Sequence, residues 1–443
     1  MDNRKLEESL KSPRVLMFIN FFPPSAGGGV YRPLSFVKYL SRLSWDITVI
    51  TPRPGGFWIS DPALVREVPD SVRVIRTSSL SGQSVLGNMN KKGSSRRSSG
   101  RFGILRRFGE YFLVPDTYIG WIPFACMAAR ALKNESFDII YSTSPPDSTH
   151  LAARKFAMRT GIPWVADFRD PWIGLYLRKP PTPFHRSIHH RMEARVVEAD
   201  RVIVTTDWQK KVLEENHPGC RVEKIPNGFD EDDFAETIKP AVTTVDAPDG
   251  IFRIVHCGML TLGRTSGPFL DGLARFLCSR PESRGRVKVV FAGARESDNE
   301  ELVHRYGLSD TVEFMDNLPH SQCVNLERDS HVLLMIKHDD EKYRGLIPGK
   351  LFEYIGARRP ILAIAPEGEA ASIIARENRG EVVSHGSPEK VADTLSRLYD
   401  LFLAGTLEES YSLDELPSYS RRIAADTLDE IMREMIGDAA GKQ

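Results

Sequence analysis

Apolar residues in this chain gather into short continuous runs separated by stretches of helical periodicity. Runs at 14–20 (RVLMFIN), 46–51, 138–143, 163–168, 201–206 and 222–226 each read as a buried strand. Between them, 31–42, 150–159, 191–200 and 207–216 show helical spacing. A second series follows, with strand signals at 252–257, 287–292, 312–315, 331–337, 361–365 and 381–384. The stretch 231–250 has acids, Thr and Pro but little apolar periodicity, and reads as a linker. Strand and helix alternating in two series predict an α/β protein of two doubly wound Rossmann-like domains, 13–230 and 251–415, facing across a cleft. The cleft between their strand ends is the expected ligand position.

Residues 71–109 break the pattern: nine Lys or Arg and no acid, with a low-complexity centre, KKGSSRRSSG. They make 78–110 a basic insertion in the first domain. Phe102, Leu105, Phe108 and Phe112 then recur at helical spacing with arginines between them. A basic amphipathic segment over 91–112 suits an anionic membrane surface; a solvated loop with packed aromatics is the alternative. Nucleic acid is not expected, because no groove-reading motif or stacking platform accompanies the charge.

Overall charge changes little in this picture. Lys plus Arg and Asp plus Glu are 59 each in 443 residues. The terminus MDNRKLEESLKSPR has no apolar core, and no window approaches a membrane span, so neither a signal peptide nor a transmembrane helix is expected. Five scattered cysteines without a C-x-x-C pair suggest reduced thiols and a cytoplasmic protein, peripheral on the inner face of the membrane if the basic segment binds there.

Chemistry concentrates in two places. After the first strand comes FFPPSAGGG, where glycines 27–29 would let a ligand approach the backbone; a flexible turn is the alternative. Arg32, opening the next helix, is either an anion contact or a surface cation. Farther on, 344–366 reads RGLIPGKLFEYIGARRPILAIAP. Pro348 and Gly349 open a helix whose free N–H groups favour an anion, Lys350 adds charge, and Glu353 can accept from vicinal hydroxyls such as a ribose's. That describes a nucleotide site, unless Lys350 and Glu353 simply form a solvated ion pair. His150 and Ser144 lie at a strand end and either face the cleft or pack under a helix. The run 338–341 and the pair His185 and His189 lack a convincing ligand set, so no metal or other cofactor is expected.

Taken in order, GGG-x-x-R, VADFRDPW, ADRVIVTT, IPNGFD, HCGMLTLGR, VVFAG and PGKLFEY-x-x-x-x-x-P resemble the GT-B glycosyltransferases of the retaining family 4 type, also called glycosyl transferases group 1. The resemblance covers the chain outside roughly 78–110. It implies an acceptor domain first, completed by a final helix at 418–436, and a nucleotide-sugar domain second. It places Gly28, Gly29, Arg32 and His150 toward the acceptor. Glu353 matches the second, ribose-binding Glu of the family's Glu-x7-Glu motif, while the first Glu, eight residues earlier, is replaced by Gly345. The family's two diphosphate-binding cations, after the glycine matched by Gly258, fall on Met259 and Arg264, so Lys350 or Arg344 would supply the second. Arg169, followed by Asp170, stands where many members carry a His. The catalytic set so implied is Arg169, Asp170, Arg264 and Lys350; the donor set adds Gly258, Arg344, Gly349 and Glu353. The implied reaction is transfer of a sugar from a nucleotide sugar to a glycan or lipid-linked acceptor of surface polysaccharide, with retention and without metal. A GT-B nucleotide-sugar epimerase and a non-catalytic nucleotide-sugar binder are the alternatives.

Overall fold

A computed structural model describes residues 12–54, 60–80, 111–173, 180–235, 250–261, 264–340, 343 and 345–441. The chain divides into two compact units, one of residues 1–227 with 421–443, the other of 228–420.

The first unit runs β1 (Arg14–Phe18), α1 (Gly28–Arg42), β2 (Asp46–Pro52), β3 (Arg73–Thr77), α2 (Ile122–Ala131), β4 (Ile139–Ser144), α3 (Ser148–Thr160), β5 (Trp164–Phe168), α4 (Pro183–Val196), β6 (Arg201–Val204), α5 (Asp207–Asn216) and β7 (Val222–Lys224). The second runs α6 (Asp232–Ala235), β8 (Phe252–Cys257), α7 (Gly267–Ser279), β9 (Val287–Ala292), α8 (Ser297–Arg305), β10 (Val312–Met315), α9 (His320–Arg328), β11 (Val332–Ile336), α10 (Gly349–Gly356), β12 (Ile361–Ile364), α11 (Glu369–Arg376), β13 (Gly380–Val383) and α12 (Pro388–Ala404). The last helix, α13 (Arg421–Ala440), belongs to the first unit.

Both sheets are parallel, ordered β3-β2-β1-β4-β5-β6-β7 and β10-β9-β8-β11-β12-β13. Strands buried on both faces explain why the sequence shows continuous apolar runs. In each sheet the order reverses beside the first strand, between β1 and β4 and between β8 and β11. Such a switch point opens a crevice at the carboxyl ends of the strands.

Several features differ from the pattern read in the sequence, among them α2, where no element was read. β3 lies inside the stretch 71–109: its RVIRT has two arginines and only Val74 and Ile75 as apolar residues, and it pairs with β2 at the sheet edge, so it lacks the apolar run of its neighbours. α4 begins at Pro183, earlier than the periodicity suggested, with the Thr182 hydroxyl accepting from the His185 N–H. The second unit begins at Gly228, because Phe229 is buried in its core and bonds through its backbone N–H to the Tyr419 carbonyl at 2.9 Å. Of the expected linker, 232–235 is helical and 236–249 lies outside the described residues.

α13 returns to cover the first sheet's helical layer. Ala425, Leu428, Met432 and Met435 pack into the core formed with β1, β2 and α1, while Trp45 donates to Asp429 at 2.6 Å and Arg201 pairs with Glu434 at 2.7 Å.

Candidate functional site

Each unit has a polar cluster at the carboxyl edge of its sheet. In the second unit it starts where β8 ends. Cys257 is followed by Gly258, and a Cβ at Gly293 after β9 would fall 2.3 Å from the Gly258 carbonyl oxygen. Two strand-end loops therefore touch through glycine backbones, and Gly293 adopts φ +134°, which favours glycine. His256 donates from Nδ1 to the Leu334 carbonyl at 2.8 Å, and burial lowers its pKa to about 4, so the ring is neutral. That bond leaves Nε2 an acceptor with no protein partner, 3.4 Å from where a Gly258 Cβ would sit.

α10 points its amino end into the same neighbourhood. Pro348 occupies the cap position rather than the first helical one; Gly349 is the first helical residue, and no side chain caps the opening turn. Lys350 reaches Glu353 at 2.6 Å and Glu327 of α9 at 3.3 Å. The ion pair that the sequence offered as one alternative is therefore formed, at the amino end of α10. Lys350 is 30% exposed while Glu327 is fully buried. Burial alone would lower the Lys350 pKa, but Glu327 and then Glu353 outweigh it and hold it well above the usual lysine value. Glu327 itself is pushed up to about 8, chiefly by burial, despite the ammonium beside it. Cys323 joins this cluster, drawn down to about 7 by a hydrogen bond with Cys257 and then by Lys350.

Arg264 donates to the Met259 carbonyl at 3.1 Å. Its charge acts on both His256 and Lys337, which brings it to the same strand ends. Lys337, at the end of β11, donates to the Tyr343 and Leu346 carbonyls at 3.1 and 2.7 Å and so fixes the turn leading into α10. The second unit thereby assembles Gly258, Arg264, Gly349, Lys350 and Glu353; Arg344 lies outside the described residues. Sequence reading missed Glu327, His256 and Lys337. His256 sat inside a quoted motif, but Glu327 ends an ordinary amphipathic helix and carried no signal.

In the first unit the structure assigns three expected site residues different roles. Arg32 is buried and bidentate to Asp167, at 3.0 Å from both Nε and Nη2, with a further bond from Nη1 to the Pro226 carbonyl at 2.9 Å. Its charge is matched by Asp167, so it is neither of the two things the sequence offered, an open cation for an anion or a surface residue. Arg169 spends its guanidinium on the carbonyls of Ser144, Gly29 and Pro145, which clips the glycine loop to the β4–α3 turn. It positions these loops and presents no free charge to a reacting atom. His150 is fully buried, stacked on Phe168 at 4.7 Å with Nδ1 2.8 Å from the Ser142 hydroxyl, and burial lowers its pKa to about 3. It sits in the first turn of α3 and packs against the sheet, the second of the two positions the sequence left open. Gly28 is exposed with open space where a Cβ would be, Gly29 abuts Arg169, and Asp170 stands half-buried beside that guanidinium.

Beside these charged groups the switch point of the first sheet gathers several buried uncharged polar side chains. The register that pairs Phe18 with Ile50 and Ser142 puts Asn20 beside the ends of β2 and β4. Asn20, Thr51 and Ser144, with Thr149 in the first turn of α3, are buried and keep side-chain polar atoms without a partner among the described residues. Buried polar atoms are normally satisfied, so an orphaned group of this kind marks a place for water or ligand hydroxyls.

The histidines weighed as metal ligands are otherwise engaged. His185 contacts Thr182 and the Tyr111 carbonyl, His189 accepts from Trp172, and His338 stacks on Tyr343 at 4.0 Å.

Residues 26–233 match the model of Glycosyltransferase Family 4, and residues 256–400 that of Glycosyl transferases group 1. The chain belongs to the GT-B glycosyltransferases. Between them the two matches take in both polar clusters apart from Asn20. No curated protein matches this glycosyltransferase at the sequence level. Solved structures of similar fold include a glycosyltransferase from Rickettsia africae ESF-5, 15% identical with a TM-score of 0.61, covering 96% of this chain and 99% of that one. HepE of Anabaena in complex with UDP and glucose is 12% identical, with a TM-score of 0.62 and coverage of 95% and 100%. WaaG, a glycosyltransferase involved in lipopolysaccharide biosynthesis, is 16% identical, with a TM-score of 0.56 and coverage of 95% and 99%.

Proposed function

We propose that this glycosyltransferase moves a hexose from a nucleoside-diphosphate sugar to a lipid-linked intermediate of a surface polysaccharide, with retention and without a metal. The observation that carries the donor assignment is Lys350, held between Glu353 and Glu327 at the uncapped amino end of α10. A ribose diol that bonds Glu353 takes that carboxylate away from Lys350. Glu327 still holds the lysine, and its ammonium turns to the diphosphate. Arg264 adds a second fixed charge. Cleavage of the sugar–diphosphate bond puts negative charge on the leaving phosphate oxygen, where such groups are worth about 10²–10³-fold each. Two cations and a helix end can fill the role of a divalent ion, which supports a metal-independent reaction. HepE has been solved with UDP-glucose, and its likeness in fold makes a uridine nucleotide the first donor to try.

On the acceptor side, Asn20, Thr51, Ser144 and Thr149 suit hydroxyl groups better than an anion, which fits a sugar. Retention rests on the resemblance to the retaining family. The membrane-surface reading rests on the basic segment 91–112, of which Tyr111 and Phe112 are described; Phe112 is 76% exposed. No helix among the described residues is long and apolar enough to cross a membrane. The test is turnover of nucleotide sugars with a lipid-linked saccharide acceptor in excess chelator, with the product's anomeric configuration read by NMR. A retained configuration formed in chelator supports the proposal; inversion, or a requirement for a divalent ion, removes it.

Met259, 46% exposed where the family places a cation, and Gly345 favour a second reading, a protein that binds a nucleotide sugar without transferring it. Binding with no transfer and no donor hydrolysis would establish that reading.

A further inference from the structure

At the far end of the first sheet, where β4 and β5 begin, α2 and α3 enclose a cavity of about 590 Å³. This is the opposite edge from Asn20, Thr51 and Ser144, which stand at the strands' carboxyl ends. Its floor is apolar: Phe137 just before β4, Phe156 on α3, Ile162 just before β5, and the thiol of Cys126. Its rim is cationic, with Arg130 and Lys133 on one side and Lys155 and Arg159 on the other. None of these four has a hydrogen-bond or ion-pair partner for its side chain among the described residues. The cavity's one carboxylate is already committed, since Glu135 accepts from Arg73 at 2.9 and 3.0 Å and from Arg14 at 3.4 Å. Four unmatched like charges around a cavity repel one another, and a bound anion relieves that repulsion. Arginine and lysine together match phosphate oxygens in geometry and charge. An apolar floor below them adds a preference for a ligand that is not phosphate alone.

We propose that this cavity is a second ligand site, for a phosphate ester with an apolar portion. The phosphate sits among Arg130, Lys133, Lys155 and Arg159, and the remainder lies on Phe137, Phe156 and Ile162. A phospholipid headgroup and a small soluble phosphate ester share that chemistry. The site is separate from the donor cluster, which lies in the other unit, and does not depend on the transfer reaction being assigned correctly.

Cys126 lines the cavity and is half-buried, so it reports occupancy directly. The experiment measures the rate of N-ethylmaleimide labelling at each cysteine by peptide mapping. Its arms are phenyl phosphate, phosphatidylglycerol vesicles and phosphatidylcholine vesicles. Cys220 in the same unit and Cys323 in the other serve as references. Ligand at about twice its Kd should slow Cys126 labelling about threefold relative to those references. Protection by phenyl phosphate identifies a soluble ester as a ligand; protection by phosphatidylglycerol alone identifies a lipid headgroup. The exposed double variant Lys155→Gln/Arg159→Gln should fold normally and lose the protection. No protection by either phosphate probe, or equal protection in the double variant, overturns the proposal.

Discussion

Lys350 carries a charge that two carboxylates already claim, and a ligand changes which of them keeps it. Glu353→Gln preserves the volume of the side chain and removes the charged acceptor. UDP affinity measured by calorimetry should fall on the order of 1.5–3 kcal/mol, the worth of hydrogen bonds to a charged group. An unchanged affinity would mean that Glu353 serves only to pair Lys350. His150 gives a prediction with a definite sign. Its folded pKa, about 3, lies below the unfolded value of 6.5, so the folded protein holds fewer protons between those limits. The neutral ring's contribution is complete above pH 6.5 and is lost as pH falls toward 3, by up to roughly 5 kcal/mol. His150→Gln should therefore unfold at lower pH than the wild type in an acid titration, with the two curves converging in shape above pH 7. The pairing of Lys350 with Glu327 was not legible in the sequence, and the burial of His150 was only one of two open readings. A lysine three residues before a glutamate looks the same in a nucleotide site and on a solvated face. For His150 the sequence left a cleft-facing and a packed position equally open, and the structure decides for the packed one: Thr143 bonds Asp167 and Ser142 bonds the imidazole.

α1 is fastened to the sheet by one buried ion pair. Asp167, central in β5, accepts from Arg32, from Tyr141 at 2.6 Å and from Thr143 at 3.2 Å. Burial raises its pKa and Arg32 more than offsets that, so Asp167 stays ionised. Asp167→Asn leaves the guanidinium buried without a counter-charge, a loss of about 3–5 kcal/mol. Urea unfolding should show that loss, and a change under 1 kcal/mol would mean that Arg32 finds another partner. At this scale the sequence was more informative. Strands buried on both faces were read from their apolar runs to within two residues at most ends. β3 was missed because an edge strand with Arg73 and Arg76 carries no such run. The N-terminal reach of α4 was missed because its first turns, FHRSIHH, bury little apolar surface.

The fold as a whole was legible because α/β alternation admits few topologies: parallel strands, right-handed crossovers and a switch point in each sheet. The placement of the last helix follows from its own pattern less directly. Leu428, Met432 and Met435 form an apolar stripe that fits the core beside α1. Burying each such side chain contributes roughly 1.5–3 kcal/mol, so ending the chain at Ser420 removes an amount comparable to the stability of a whole domain. The shortened protein should aggregate or show a lost unfolding transition; a soluble product with the wild-type profile would contradict the assignment of α13 to the first unit's core.

The central claim is that the cluster of Lys350, Glu353 and Arg264 stabilises a departing nucleoside diphosphate. Arg264 should matter more as the bond breaks than when the donor binds. The most direct measurement is UDP release from UDP-glucose, with chelator present, by the wild type and by Arg264→Ala. The account predicts release by the wild type, and in the variant a kcat lowered about 10²–10³-fold with KM changed far less. Equal kcat in the two proteins would contradict it.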